Sequence, residues 1–427
     1  MASFPPRAEE GADSSTVVGY GEAVNNTNVL PDRGRLAALD VVRGIAIVGT
    51  LATNVWVFSH PWGLLGMLSA PVLSSESSAA ATTQLALMAL AQGKFLALLS
   101  LTFGVGLAIQ HRSAVRQQRR WPGRYLWRAA LLFVDGVVNY ILIAEFDVLM
   151  GYAVTAAVVS FLLLTRPRAQ RALIVVFGGI HLAVMSLLVL VLTVLPGADA
   201  DLPLPSEPSP YADASFLGLA AFRLDNAAVF RAEPVLIGFL SLAMFLAGAA
   251  LLRAGVFAAE GARLRRRLMI VGLCAAPVDL VLALSATSAG LLLERYVVAP
   301  VVALGILGLV VELCVRRGTG GWFARRATEI GRVALSAYLL QNLLGGALFY
   351  GWGFGLASTL APWRVPVTVA AFLVITAVVA AAAHLWLRRF SAGPVEWLWR
   401  AAADLGTRPR RGGASATSSE RTDRVPS

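Results

Sequence analysis

Apolar runs of membrane length alternate with short polar connections along almost the whole chain. Runs long enough to span fall near 36–59, 84–110, 124–143, 148–164, 171–195, 233–256, 267–288, 292–315, 330–355 and 366–388. Each holds roughly 17 to 27 residues, the length a bilayer core requires of a helix. The pattern predicts an all-α, polytopic membrane helix bundle with about ten transmembrane helices.

The first run, Arg35 to Gly63, carries an acid, an arginine, an amide and a histidine that a plain anchor has no use for. Read as a helix, Asp40, Arg43, Ile47, Thr50 and Asn54 recur at steps of three and four and share one face. From Asp40 to Asn54 the stripe spans roughly 21 Å at 1.5 Å per residue. Charge inside a membrane helix is costly and turns toward a bundle interior or wet cavity, so this helix is expected to pack inward.

Composition agrees. The 427 residues are 57% hydrophobic and only 14% charged, which excludes a soluble domain. The net charge of +11 does not point to nucleic acid, because the basic residues sit in short clusters between apolar runs. Cys274 and Cys314 lie inside apolar runs and form no disulfide framework or CxxC pair.

Arginines set the orientation, since cytoplasmic loops retain positive charge. Nineteen fall within 112–128, 166–171, 253–267 and 316–332, whereas the intervening loops carry only Arg223, Arg231, Arg295 and Arg364. Both termini are therefore expected in the cytoplasm. Residues 1–34 read as a disordered arm, 35–400 as the membrane domain and 401–427 as a disordered tail. The acidic, proline-rich stretch near 196–232 reads as an irregular external loop with a short apolar piece at Phe216–Leu224.

Polar groups within the runs are the candidates for chemistry. Lys94 is the only lysine in the chain. At membrane depth its ammonium could hold a carboxylate or phosphate-like group, or pair structurally with Asp135 or Asp279. Arg128, Asp135 and Asn139 share a face of the third run. Glu145 and Asp147 follow at its end, where they read first as a solvated turn and alternatively as a general base or a cation-attracting mouth. Tyr338, Gln341, Asn342, Gly345 and Phe349 form another stripe, suited to helix contact or to lining a substrate path. The pairs Gly345-Gly346 and Gly104-x-Gly106 fit close helix approach and match no phosphate loop. Of four histidines, His111 and His384 lie beside arginines and His181 is deep in its run. His60, at the external end of the first run, is the acid/base candidate by position. The four show no metal-ligand spacing.

Four ordered stretches carry a resemblance: LDVVRGIAIVGTLATNV, KFLALLSLTFGVGLAIQ, GRVALSAYLLQNLLGGALFYGWGFGL and FSAGPVEWLWR. Together they resemble the YeiB-type family of bacterial inner-membrane proteins, a domain of unknown function, from about Arg35 to Arg400. The opening Leu-Asp-x-x-Arg-Gly is also similar to that of heparan-glucosaminide N-acetyltransferases and, more loosely, acyltransferase-3 enzymes. Those enzymes use cytoplasmic acyl-CoA to modify a glycan or lipid across the membrane, and in the first group a catalytic histidine follows the first helix. The chain departs from the YeiB-type pattern at Gly136-Val137-Val138-Asn139, where members generally carry Gly-x-x-His. Asn139 can orient a substrate but cannot exchange a proton near neutral pH.

The resemblance implies a multi-pass protein of the bacterial plasma membrane with two functional readings. One is acyl transfer to an envelope lipid or saccharide, with acyl-CoA as co-substrate and no bound cofactor. His60 is then the catalytic base, and Asp40, Arg43, Asn54, Lys94, Asp135, Asn139, Asp147 and Gln341 surround the substrates. The other is transport of a small or amphipathic molecule through a charge network of Lys94, Asp135, Asp279 and Arg43. The lipid bilayer is the expected partner in both.

Overall fold

A computed structural model describes residues 32–69, 77–194 and 209–405. The expected N-terminal arm lies outside these residues up to Asp32, where the first helix begins, and the tail lies outside them after Leu405. Fourteen helices matter for the site. They are α1 (Asp32–Phe58), α2 (Ser78–Ala91), α3 (Lys94–Arg116), α4 (Arg124–Leu142), α5 (Leu149–Leu162), α6 (Pro167–Val194), α7 (Phe216–Asp225), α8 (Gly238–Arg253), α9 (Ala262–Leu284), α10 (Ala299–Arg317), α11 (Trp322–Arg332), α12 (Ala334–Phe349), α13 (Arg364–Leu387) and α14 (Pro394–Leu405).

No strand occurs among the described residues, and the all-α polytopic bundle is borne out. Helices close their backbone hydrogen bonds internally, which hydrocarbon surroundings demand. Seven helical stretches are long and apolar enough to cross a membrane, or eight if Ala227–Leu236 and Gly238–Arg253, bent by 42°, form one span. The other two expected spans fall on α5 and α12, which have 14 and 16 residues.

The first run does pack inward, and it is the hub of the bundle: α1 lies against α3, α10, α11, α12 and α13. Glycine lets it meet α11 backbone to backbone. A Cβ on Gly44 would fall 1.9 Å from the Ala327 carbonyl oxygen, and one on Gly331 would fall 1.9 Å from that of Asp40. Gly104 likewise gives α3 close approach to α8, where a Cβ would sit 2.0 Å from the Phe245 carbonyl oxygen.

Two features depart from the sequence reading. Lys94 lies inside the span Ser78–Arg116 but at a break in it: it opens α3, just after Gly93, whose φ of +71° suits glycine. Residues 209–236, expected to be an irregular loop, form short helices that cover one end of the bundle, and residues 195–208 lie outside the described structure. At the arginine-rich end, α11 and α14 expose Trp322, Phe323, Trp397 and Leu398 beside their arginines, the amphipathic character of helices at a membrane surface.

Candidate functional site

The polar stripe of α1 and the polar stripe of α12 meet. Gln341 donates from Nε2 to the Thr50 hydroxyl at 3.3 Å, and Thr50 donates to the Ile47 carbonyl at 2.8 Å. On the arginine-rich side of this contact lies a cavity of about 390 Å³ walled by α1, α3, α4, α12 and α14, with the end of α11 and the start of α5. Its mouth carries Arg43, Arg128, Arg332 and Arg400. Its depth is apolar, lined by Ile47, Leu99, Phe103, Leu107, Leu132 and Leu149, and Tyr338 stands among the lining residues.

Local contacts build that mouth. Arg43 lies 3.6 Å from Asp40, one turn back on α1, and packs over Gly106, where a Cβ would come within 2.6 Å of Nη2. Arg128 donates to Gln110 Oε1 at 2.7 Å, and Arg332 donates to the Ser391 carbonyl at 3.3 Å. Glu396 on α14 caps α12: its Oε1 accepts the N–H groups of Leu335 at 2.8 Å and Ser336 at 3.2 Å, and its Oε2 accepts the Ser336 hydroxyl. A carboxylate at a helix N-terminus satisfies orphan donors and interacts favourably with the positive end of the helix dipole. Trp399 of α14 donates through Nε1 to Asp135. The stretches around GRVALSAY and GPVEWLWR, far apart in sequence, thus join at one wall of the cavity.

Beyond the cavity lies a group of buried polar atoms with unused capacity. Asn139 Nδ2 donates to Asp147 Oδ1 at 2.8 Å, and the Met150 N–H donates to Oδ2 at 3.0 Å. The Asp147 charge acts on Tyr338, and Asn342 lies one turn along the same helix. Asn139 Oδ1 is buried without a hydrogen-bonding partner among the described residues, while the Tyr338 hydroxyl lies against the Asn342 amide and the Val148 backbone. Buried polar atoms are normally satisfied, so an unused acceptor beside a buried carboxylate, a tyrosine and a second amide marks a place that can take a polar atom from elsewhere. Burial pushes the Asp147 carboxyl, in the turn between α4 and α5, up to about 6.

At the opposite end the solvated turn is overturned, because Glu145 and Asp147 are 0% and 1% exposed. The short helices of 209–236 bury them and supply the cations. Arg223 donates from Nε to Glu145 at 3.3 Å and from its other nitrogens to the carbonyls of Ile141 and Ile143, both at 3.1 Å. Tyr350 donates to the second Glu145 oxygen at 3.3 Å. Arg231 donates to the carbonyls of Glu145 and Asp147 and lies 4.0 Å over the Tyr140 ring.

The remaining candidates sit apart from the cavity. His60 is 1% exposed; its Nδ1 accepts the Trp62 N–H at 3.1 Å, and a Cβ on Gly66 would fall 2.0 Å from its ring. It fixes the turn after α1 and does not line the cavity. Asn54 is half-buried and belongs to none of these groups. Lys94 does not reach Asp135. It pairs with Asp279 at 2.7 Å and with Glu294 at 3.1 Å, all three buried. Of the sequence candidates, the cavity and its inner polar group therefore gather Asp40, Arg43, Asn139 and Asp147, with Gln341 and Asp135 bracing the walls. Sequence reasoning missed Arg332, Arg400, Glu396, Trp399 and Glu294. For the first four the distinctive stretches around them were a signal; Glu294 had only its place in an apolar run.

A family model described as a protein of unknown function, DUF418, matches residues 251–406. Across 399 residues, 88% of this chain and 96% of the relative, the sequence is 27% identical to the uncharacterized protein YxaH of Bacillus subtilis. Across 395 residues, 86% of this chain and 95% of the relative, it is 28% identical to the uncharacterized protein YeiB of Escherichia coli. The resemblance read from the four stretches is borne out.

Proposed function

We propose that this chain, a multi-pass membrane protein of the YeiB-type family, is a membrane acyltransferase. It draws an anionic acyl donor, acyl-CoA in class, from the cytoplasm and passes the acyl group to an envelope lipid or saccharide. The carrying observation is the cavity of about 390 Å³, cationic at its mouth, apolar in its depth and backed by a group of buried polar side chains. That polarity profile fits a donor whose phosphates meet the arginines and whose arm runs inward through the depth, carrying the thioester toward the polar group behind it.

Arg43, Arg128, Arg332 and Arg400 hold the phosphates in this reading. The Tyr338 hydroxyl and the Asn342 amide donate to the thioester carbonyl, where negative charge develops during attack. Asp147, held by Asn139, takes the proton from the acceptor hydroxyl. The acceptor oxygen bonds to the acyl carbon, the carbon–sulfur bond breaks, and the thiolate leaves and recovers the proton. Asp147 replaces His60 as the base because it adjoins the polar group beyond the cavity. A second reading, export of an intact amphiphile, is favoured by an apolar groove of about 600 Å³ on the Gly44–Gly49 side of α1.

The test uses purified full-length protein and radiolabelled palmitoyl-CoA. Wild type binds the donor, and the Arg43→Ala, Arg128→Ala pair weakens binding by at least roughly tenfold, since hydrogen bonds to charged groups contribute about 1.5–3 kcal/mol. Asp147→Asn retains binding and loses release of free CoA. Equal binding by the arginine variant overturns the cavity assignment. Movement of intact donor lipid across proteoliposomes without thioester cleavage supports export instead.

A further inference from the structure

The chain's single lysine has more acid around it than it can neutralise. Lys94 Nζ donates to Asp279 Oδ2 at 2.7 Å, to Glu294 Oε1 at 3.1 Å and to the Gln92 carbonyl at 3.2 Å. Those three bonds use every donor of an ammonium group, which is why a compact lysine suits this spot better than arginine's planar fork. Two acceptors then remain. Asp279 Oδ1 and Gln92 Oε1 are buried with no hydrogen-bonding partner among the described residues.

Neighbouring charges do not restore balance. The Arg295 charge also acts on Glu294, but its ion pair, at 2.6 Å, is with Glu233, and the Tyr296 hydroxyl donates to the same Glu233 oxygen at 2.9 Å. From α6, His181 bonds to the Tyr296 carbonyl through Nε2 at 2.9 Å, and its Nδ1 is buried without a partner. One ammonium therefore faces two carboxylates in a buried site, leaving one negative charge uncompensated. An unpaired buried charge is strongly unfavourable, so the site takes up a positive charge. Glu294 also opens a π-helical stretch, Glu294–Val298, an irregularity that collects at functional positions.

We propose that Lys94, Asp279 and Glu294 form a proton-binding site in which the two carboxyl groups hold one proton beside the charged lysine. A proton on Asp279 converts a partnerless acceptor into a donor and cancels the excess charge in one step. The site shares no named residue with the arginine-mouthed cavity, and the inference stands whether or not the protein transfers acyl groups.

Infrared spectroscopy of the full-length protein in lipid nanodiscs tests it at pH 7. Wild type shows the carbonyl stretch of a protonated, buried carboxyl group. Glu294→Gln and Asp279→Asn each remove it, because each leaves Lys94 with a single carboxylate, and Asp147→Asn keeps it. No band in wild type, or a band that survives both substitutions, overturns the proposal. Exchanging KCl for NaCl leaves the band unchanged; its loss in sodium identifies a sodium site and overturns the proton assignment. A second measurement needs no variant. Dicyclohexylcarbodiimide, which attacks protonated carboxyl groups in apolar surroundings, modifies Asp279 or Glu294 in the native chain, and mass spectrometry locates the adduct. Absence of adduct at both residues counts against the site.

Discussion

The two ends of the bundle use arginine in opposite ways. At the arginine-rich end, Arg128, Arg332 and Arg400 stand exposed around a cavity mouth, and Arg316 and Arg317 face outward. At the other end, Arg223 and Arg364 are 1% and 3% exposed, and Arg231 and Arg295 are held by carbonyls or by Glu233. Arg364 donates to Gln84 Oε1 at 3.1 Å and lies 5.9 Å from the Trp56 ring centre. The four arginines that break the charge bias of the loops are thus clamps, built into the cover of the bundle. Arg265 is the counterpart at the arginine-rich end, buried on Glu312 and the carbonyls of Val256 and Ala258. A charge count reports topology only after such clamps are set aside.

The largest expected effect comes from breaking a clamp. Glu145→Ala leaves the Arg223 guanidinium buried with carbonyls alone, and losing one partner of a buried pair costs roughly 3–5 kcal/mol. Denaturant unfolding in detergent reads it, and a loss below about 1 kcal/mol dissolves the contrast between the ends, because that is the range of an exposed pair. Gly44→Val follows. Its side chain would strike the Ala327 carbonyl, so overpacking is expected to cost about 1–3 kcal/mol and to loosen α11 from α1.

Arg43→Ala sharpens the comparison from the ligand side. Its partner Asp40 is itself partly exposed, at 22%, so stability should change by no more than about 1 kcal/mol. Donor binding should weaken by roughly tenfold or more. A large loss of stability with unchanged binding would make it another clamp. Acid pH probes the inner group. Burial raises the Asp147 carboxyl to about 6, so turnover by an ionised base is full above that value and falls as pH drops through it. The same shift means that this residue favours folding most at acid pH and loses that contribution as pH rises through about 6. A pH–rate profile flat across that range removes Asp147 as the base. The smallest effect belongs to Arg316→Ala: Glu312 keeps Arg265, Arg316 is 72% exposed, and stability should move by less than about 1 kcal/mol.

What the sequence determined by itself was local and periodic. Runs of apolar residues specified the helices, and steps of three and four placed Asp40, Arg43 and Thr50 on one inward face of α1, since both follow from helical geometry alone. Lys94 was conspicuous as the only lysine, and Asp279 was already among its two candidate partners. Tertiary structure decided everything that joins distant segments. Glu294 stands 200 residues from Lys94, and Glu396 caps a helix 60 residues before it, separations that no periodicity spans. The burial of Glu145 and Asp147 depended on a cover drawn from 209–236, whose composition read as a loop. Burial is a property of what packs over a residue, and the residues doing the covering lie elsewhere in the chain.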